Sequence, residues 1–351
     1  MKAIVLGDAP GKVSLVTDRP SPKLRPGYLG VNVKAVALNP TDWKHVDRFN
    51  ADGSLSGCVS GCDYAGVVAE TGTGYSKQWK VGDRICGFVH GANELQKEDG
   101  GFAETVVARA DIQLRIPDGM SFEDASTLGV GVITCAQALF MQMGLTQPPT
   151  DGTAPANGEP VLIYGGSSAT GSIALQFARI AGYTPITLCS PHNFEFVKSL
   201  GAAAAFNYND EDCVEQVNRF IGHDRGIKYV FDTISTAATS AICARLIAPK
   251  GRWAYVQMGT NIPRDDVDKM YPLAYLAAGE RVKKGTAFDL PASKKDFDYV
   301  SEFMPVVESW LRQGILKPHP SQVGNGLEQV IDGLDLMRHG KVSGKKLVYK
   351  L

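Results

Sequence analysis

The apolar positions of this chain change rhythm once. Up to about residue 130 they fall in short β-rich runs cut by Gly and Pro: KAIVL, VSLV, YLGVNVKAVALNP, YAGVVAETG, DRICGFV and FAETVVAR. Many short strands separated by turn residues predict a β-barrel-like domain. The stretch SFEDASTLGVGVITCAQALFMQM then reads as helical, opening at Ser121 with Asp124 three residues on in the manner of a capping box. A polar insert, TQPPTDGTAPANGEP, is too rich in Pro, Gly and Thr to be anything but loop.

After the insert, strand and helix alternate: EPVLIYGG, ATGSIALQFARIAG, YTPITLCS, NFEFVKSLGA, AAFNY, CVEQVNRFIG, IKYVFDTI, AATSAICARLIA and KGRWAYVQMG. Such alternation predicts a parallel sheet covered by helices. The last sixty residues carry two amphipathic helices, FDYVSEFMPVVESWLRQG and GLEQVIDGLDLMRHG, and end in a strand, KKLVYKL. With 351 residues the chain is longer than one core usually grows, so two domains are expected.

Charge and cysteine content narrow the function classes. A net charge of -1 leaves no excess of basic residues for nucleic acid or anionic lipid. The start, MKAIVLGDAPGKVSLV, fits no signal peptide, and the apolar runs read as shorter than the ~20 residues a spanning helix requires. Seven scattered cysteines point to a reducing compartment without disulfides, and the expected location is cytoplasmic.

The chemistry begins at the loop Gly165-Gly166-Ser167-Ser168-Ala169-Thr170-Gly171, set between the buried-strand run Val161 to Tyr164 and a helical pattern at Ile173, Ala174, Phe177 and Ile180. Free N–H groups at a helix start attract a pyrophosphate, so this strand-turn-helix is a candidate dinucleotide site, or else a plain structural turn. Serine stands where the middle glycine of the usual fingerprint would be, and its hydroxyl is expected to donate to phosphate. About 20 residues on, where a free ribose 2′-hydroxyl calls for Asp or Glu, the sequence is Ser190-Pro191-His192-Asn193, with Lys198 beyond. Hydroxyl, imidazole and amide donors suit a 2′-phosphate, which favours NADPH over NADH. His192 on its own can equally be an ordinary surface histidine.

Asn39-Pro40-Thr41-Asp42-Trp43-Lys44, Gly61-Cys62-Asp63-Tyr64-Ala65-Gly66-Val67-Val68, Val81-Gly82-Asp83-Arg84 and Gly101-Phe102-Ala103-Glu104, taken with the loop, resemble the medium-chain dehydrogenase/reductase superfamily. The run Cys189 to Phe194, the Pro-rich insert and the ending Gly340-Lys341-Val342-Ser343-Gly344-Lys345-Lys346-Leu347 are similar to the trans-acting enoyl reductases of fungal polyketide synthases, including that of the lovastatin pathway. The resemblance implies an α/β fold with a GroES-like β-barrel catalytic domain over 1–135. A Rossmann doubly wound parallel sheet binding NADPH would cover 136–290, and 291–351 would return to the catalytic domain.

It also implies a metal-free reaction. Zinc alcohol dehydrogenases place a Cys after the first long strand and a later Gly-His-Glu, where this chain has Asn39 to Thr41 and Gly61-Cys62-Asp63. A structural zinc would need four closely spaced cysteines, and Cys86 stands alone. Cys62 therefore reads as a small buried residue.

Further roles follow from the same resemblance. Thr41, Asp42, Trp43 and Lys44 would approach the nicotinamide, with Lys44 orienting the cofactor, polarising the enolate or relaying a proton, or else being a solvated lysine. Asp42 would alternatively cap its helix. Gly166 to Gly171, Ser190, His192 and Asn193 would bind phosphate, and Tyr208 would pack on adenine or simply cap the core. Gln257, Met258, Val342 and Ser343 are further nicotinamide candidates. Gly131, Thr134 and Cys135, then Gly285, Thr286, Ala287 and Phe288, would border the substrate, Thr134 also standing near the nicotinamide as a catalytic candidate beside Lys44, or alternatively bonding within its helix. The expected partner is the carrier domain of a separate polyketide synthase or synthase-peptide synthetase hybrid, with Lys283, Lys284, Lys294 and Lys295 as a candidate docking surface. A stand-alone quinone or enone reductase and a catalytically silent nucleotide-binding protein remain open alternatives.

Overall fold

A computed structural model describes residues 1–152, 154–222, 224–286 and 288–351. The chain forms two compact units, one of Met1–Ile133, Ala274–Glu308 and Pro318–Leu351, the other of Thr134–Leu273 with Ser309–Lys317.

In the first unit, the strand Tyr28–Ala37 is the hub. Antiparallel to it run Asp63–Thr71, Thr105–Arg109 and the C-terminal Lys346–Lys350, and the sheet continues through Arg84–Phe88 to Leu114–Arg115. Its apolar faces close over Leu29, Val31, Val36, Tyr64, Ile85 and Phe102. Register fixes the chemistry to come. Ala37 pairs with both Asp63 and Val348, so the turn into the next helix starts beside Asp63 and Lys346.

In the second unit, six strands, all parallel, lie in the order Ala204–Phe206, Thr184–Leu188, Pro160–Tyr164, Ile227–Asp232, Ile247–Tyr255, Asp268–Met270. Numbered along the chain this is 3-2-1-4-5-6, the doubly wound order whose switch point lies between the first and fourth strands. Leu162, Ile186, Val230 and Trp253 fill the core on this sheet.

The return to the first unit lies earlier than the 290/291 expected from the sequence. The parallel sheet ends at Met270 and the return is at Ala274. The following strands, Val282–Lys284 and Phe288–Leu290, pair only with each other, antiparallel, and Lys283 and Lys284 tie this hairpin to residues 91–94 of the first unit. The helix Lys294–Arg312 contains Pro305, and its last turn with the residues up to Lys317 belongs to the second unit. There, Trp310 Nε1 donates to Pro149 O at 3.2 Å and Lys317 N donates to Gln176 Oε1 at 2.8 Å.

The helical stretch Phe122–Gln142 exceeds the expected limit on apolar runs. Its 21 residues are long and apolar enough to cross a membrane by length and composition, but 83% of the most apolar window is buried inside the fold. Ser121 caps its start, accepting from Asp124 N.

Candidate active site

At the switch point of the second unit, strand Pro160–Tyr164 leads through the glycine-serine loop into helix Ala169–Ile180. Gly171 has no substitute here: a Cβ would lie 2.2 Å from Gly165 O, so the helix could not start against the strand. At Gly166, a Cβ would lie 2.3 Å from Thr187 Oγ1, which receives the Gly166 N–H at 3.0 Å. Ser168 Oγ accepts from Gly171 N at 3.0 Å as the helix N-cap and lies 3.0 Å from Thr233 Oγ1. Thr233 itself donates to Tyr164 O at 2.8 Å, which leaves the Ser168 hydroxyl as the donor of that pair. Ala169 and Thr170 hold the open donors of the first helical turn, with the positive end of the helix behind them. Cys135 Sγ donates to Thr170 O at 3.3 Å and joins the preceding helix to the loop, and Thr134 beside it is buried.

The next strand end carries no carboxylate. Ser190 Oγ lies 2.9 Å from the Tyr208 hydroxyl, exposed His192 touches Asn193 Nδ2 through Nε2 at 3.2 Å, and Asn193 is buried. Tyr208 is half-buried and packs toward Tyr164, ring centroids 6.0 Å apart, which is the core-capping alternative of its two expected roles. Lys198 is exposed and paired with Glu195 at 3.4 Å. Gln257 and Met258 follow the fifth strand, Met258 well exposed.

In the first unit, helix Pro40–Lys44 is capped at its start by Asn39 and runs directly into a π-helical turn over His45–Phe49. Asn39 N donates to the carboxyl of Asp42 at 2.7 Å, so Asp42 does cap the helix. Asp42 is fully buried, and desolvation pushes its carboxyl up to about 7. Asp63 stands where a zinc dehydrogenase has glutamate, but it is consumed in a buried network. It receives Lys346 Nζ at 2.5 Å, Asn39 Nδ2 at 2.9 Å and Val130 N at 2.7 Å. Lys44 is half-buried, its ammonium 5.7 Å from the Trp43 ring centroid. Burial, reinforced by Arg48, pushes it down to about 8, so it can hold or release a proton near neutrality.

Thr41 Oγ1 hydrogen-bonds the Tyr275 hydroxyl at 2.7 Å, which lies 2.8 Å from His45 Nε2 and 3.9 Å from Cys62 Sγ. Cys62 is buried, as expected. Val342 packs on this unit's core and Ser343 is exposed. Gly131 is buried. Gly285 and exposed Thr286 form the turn of the hairpin, while Phe288 is buried against Phe49, ring centroids 5.3 Å apart. Ala287 lies outside the described residues. Lys284 overturns its expected role as docking surface: it is fully buried, and Lys283 is paired with Glu94 at 2.5 Å.

Residues 25–118 match the alcohol dehydrogenase GroES-like domain and residues 169–304 match the zinc-binding dehydrogenase family. The chain is 40% identical over 363 aligned residues, covering all of both chains, to the trans-enoyl reductase resD of Aspergillus sclerotiorum. It is 44% identical to the trans-enoyl reductase TOXD of Cochliobolus carbonum, over 80% of this chain and 91% of that one. The chain belongs to the trans-enoyl reductases. It is thus a medium-chain dehydrogenase/reductase and an oxidoreductase of the kind that uses a nicotinamide cofactor. The solved CurK enoyl reductase shares the fold, with a TM-score of 0.77 at 21% identity over 99% of this chain and 98% of that one.

Sequence reasoning on this trans-enoyl reductase missed His45 and Tyr275, and placed Lys284 on the surface. His45 had a local signal, since it lies four residues after Thr41 on one helix face. Tyr275 had none, being 230 residues from His45 in sequence.

Proposed function

We propose that this protein reduces the α,β double bond of an enoyl thioester held on the carrier domain of a separate polyketide synthase, with NADPH as the hydride source. The observation that carries this reading is kinship with trans-enoyl reductases over the full length of both chains. The geometry supports it in parts. Ala169 and Thr170 at the helix N-terminus offer N–H donors to a pyrophosphate. Ser190, His192 and Asn193, with no carboxylate among them, suit a 2′-phosphate, and Tyr208 offers a ring face to adenine.

When bound, the reduced nicotinamide supplies hydride to the β-carbon. Negative charge then gathers on the thioester oxygen, the Lys44 ammonium is the group we assign to stabilise it, and a proton from water completes the saturated product at the α-carbon. Thr41, Asp42 and Trp43 hold Lys44 in place through their short capped helix. Gly131, Thr134, Gly285 and Phe288 are assigned to the acyl chain, and Val342, Ser343, Gln257 and Met258 to the nicotinamide. All seven cysteines are free and buried, in keeping with the cytoplasmic location we assign.

The test is oxidation of NADPH and of NADH with an enoyl thioester on a carrier domain, with the same thioester free, and with a simple quinone. Preference for NADPH and for the carrier-bound substrate is expected. Fast quinone turnover without enoyl turnover would replace this reading with a stand-alone quinone reductase, and no turnover of any substrate would favour a silent nucleotide-binding protein.

A further inference from the structure

The second family match is to zinc-binding dehydrogenases, and the first unit contains three donors of the right chemistry for such a metal. Asp42, His45 and Cys62 each offer a ligand atom within 4.8 Å of the others, and all three are buried. His45 Nδ1 has no hydrogen-bond partner, and the Asp42 carboxyl faces the Cys62 thiol. Carboxylate, imidazole and thiolate are the donors a tetrahedral zinc takes.

Two neighbours make the group a poor fit for zinc. The Tyr275 hydroxyl stands among the donors, 2.8 Å from His45 Nε2 and 3.9 Å from Cys62 Sγ, and already engages the imidazole nitrogen. Behind its ring, 4.6 Å from the centroid, stands the ammonium of Lys284. That side chain is fully buried, and its Nζ donates to Gly91 O and Ala92 O at 2.7 Å each. Two carbonyls and an aromatic face use all three N–H bonds, so the charge is tethered and cannot swing out to water. Ala92 holds φ at 54°, a left-handed value for a residue with a side chain, and its carbonyl is thereby aimed at Lys284.

The electrostatics run in the same direction. Burial pushes Lys284 down to about 8, while Cys62, Cys58, Asp42 and Glu94 each pull it back toward the charged form. His45, for burial first and Lys284 second, is held well below the ordinary histidine range, as is His90. A dication entering among Asp42, His45 and Cys62 would meet a fixed positive charge in a weakly screened interior.

We propose that Lys284 is the resident cation of this cluster: its tethered ammonium takes the electrostatic place of a metal beside Asp42, His45 and Cys62, and so excludes zinc-like ions from the first unit. The proposal is independent of which substrate the reductase takes. It makes Lys284→Met a gain-of-binding variant, because removing the charge leaves three buried metal-ligating groups with no cation beside them.

The experiment is titration of the folded full-length protein with Co2+, followed by the thiolate-to-cobalt charge-transfer band, alongside equilibrium dialysis against Zn2+. Wild-type protein is expected to develop no such band. Lys284→Met is expected to take about one equivalent with at least ~10-fold tighter binding, the scale of removing one unit charge near a dication. Adding Cys62→Ser to that variant should abolish the band. Lys284→Gln, which keeps an N–H donor for the two carbonyls, serves if the methionine variant does not fold, and Lys284→Arg, which keeps the charge, should exclude metal as wild type does. A Cys62-dependent band in wild type would overturn the proposal, as would uncharged folded variants that bind no better than wild type, or binding that survives Cys62→Ser.

Discussion

Replacing Lys346 by methionine tests the buried network that this chain has built at the position of a dehydrogenase zinc ligand. The Lys346 and Asp63 side chains are 3% and 0% exposed. Loss of the ammonium leaves the Asp63 carboxylate with two donors, Asn39 Nδ2 and Val130 N, and takes a donor from Asn39 Oδ1 and Thr127 O. Removing one partner of a buried pair costs about 3–5 kcal/mol. The two surviving donors argue for the lower part of that range, and the two orphaned acceptors add about 1 kcal/mol each. An overall loss of about 5 kcal/mol is therefore expected, or a fall of roughly 1.5–2 M in the urea midpoint at a slope of about 3 kcal/mol per M. Urea unfolding followed by circular dichroism measures it. Adding Asp63→Asn removes the uncompensated charge and should return at least about 1 kcal/mol, a coupling that a double-mutant cycle isolates. A loss below about 1 kcal/mol, or strict additivity, would refute the reasoning, since both require that the buried carboxylate found another partner.

Three further outcomes follow from the same geometry. Gly171→Ala should weaken NADPH binding at least ~10-fold and lower the melting temperature, because the new Cβ would meet Gly165 O at 2.2 Å; unchanged binding by fluorescence titration would show that the loop shifts freely. Lys44→Ala should cut kcat at least ~100-fold with little change in melting temperature, and an unchanged rate would remove Lys44 from the site. The pH dependence has a definite sign. If the ammonium acts, kcat falls as pH rises through about 8. Stability moves the other way: below about 8 folding bears the desolvation of a charged Lys44, and stability gains with pH between about 8 and 10.5, where the unfolded chain holds the extra proton. Lys44→Met should flatten both profiles.

The parallel sheet, its helices and the cofactor loop were legible because each is local: a strand-length apolar run, a glycine where no Cβ fits, a helical period. The return to the first unit was misplaced because Ala274 to Leu290 carries no periodicity that assigns it; its place is set by the contacts of Lys283 and Lys284 with residues 91–94. The same distance hid the Tyr275 cluster. A lysine pair in sequence looks solvated, and only the fold reveals that Lys284 faces inward while Lys283 meets Glu94. At Ser168 the residue type was read correctly as a hydrogen-bonding hydroxyl, and its partners within the chain are its own helix and Thr233.

The central claim is hydride transfer from NADPH to a carrier-bound enoyl thioester, and its most direct measurement is isotopic. With NADPH deuterated at the transferring C4 position, mass spectrometry of the released acyl chain should find one deuterium, placed at the β-carbon of a saturated thioester. An acyl chain recovered with its double bond intact, or saturated without deuterium, would contradict it.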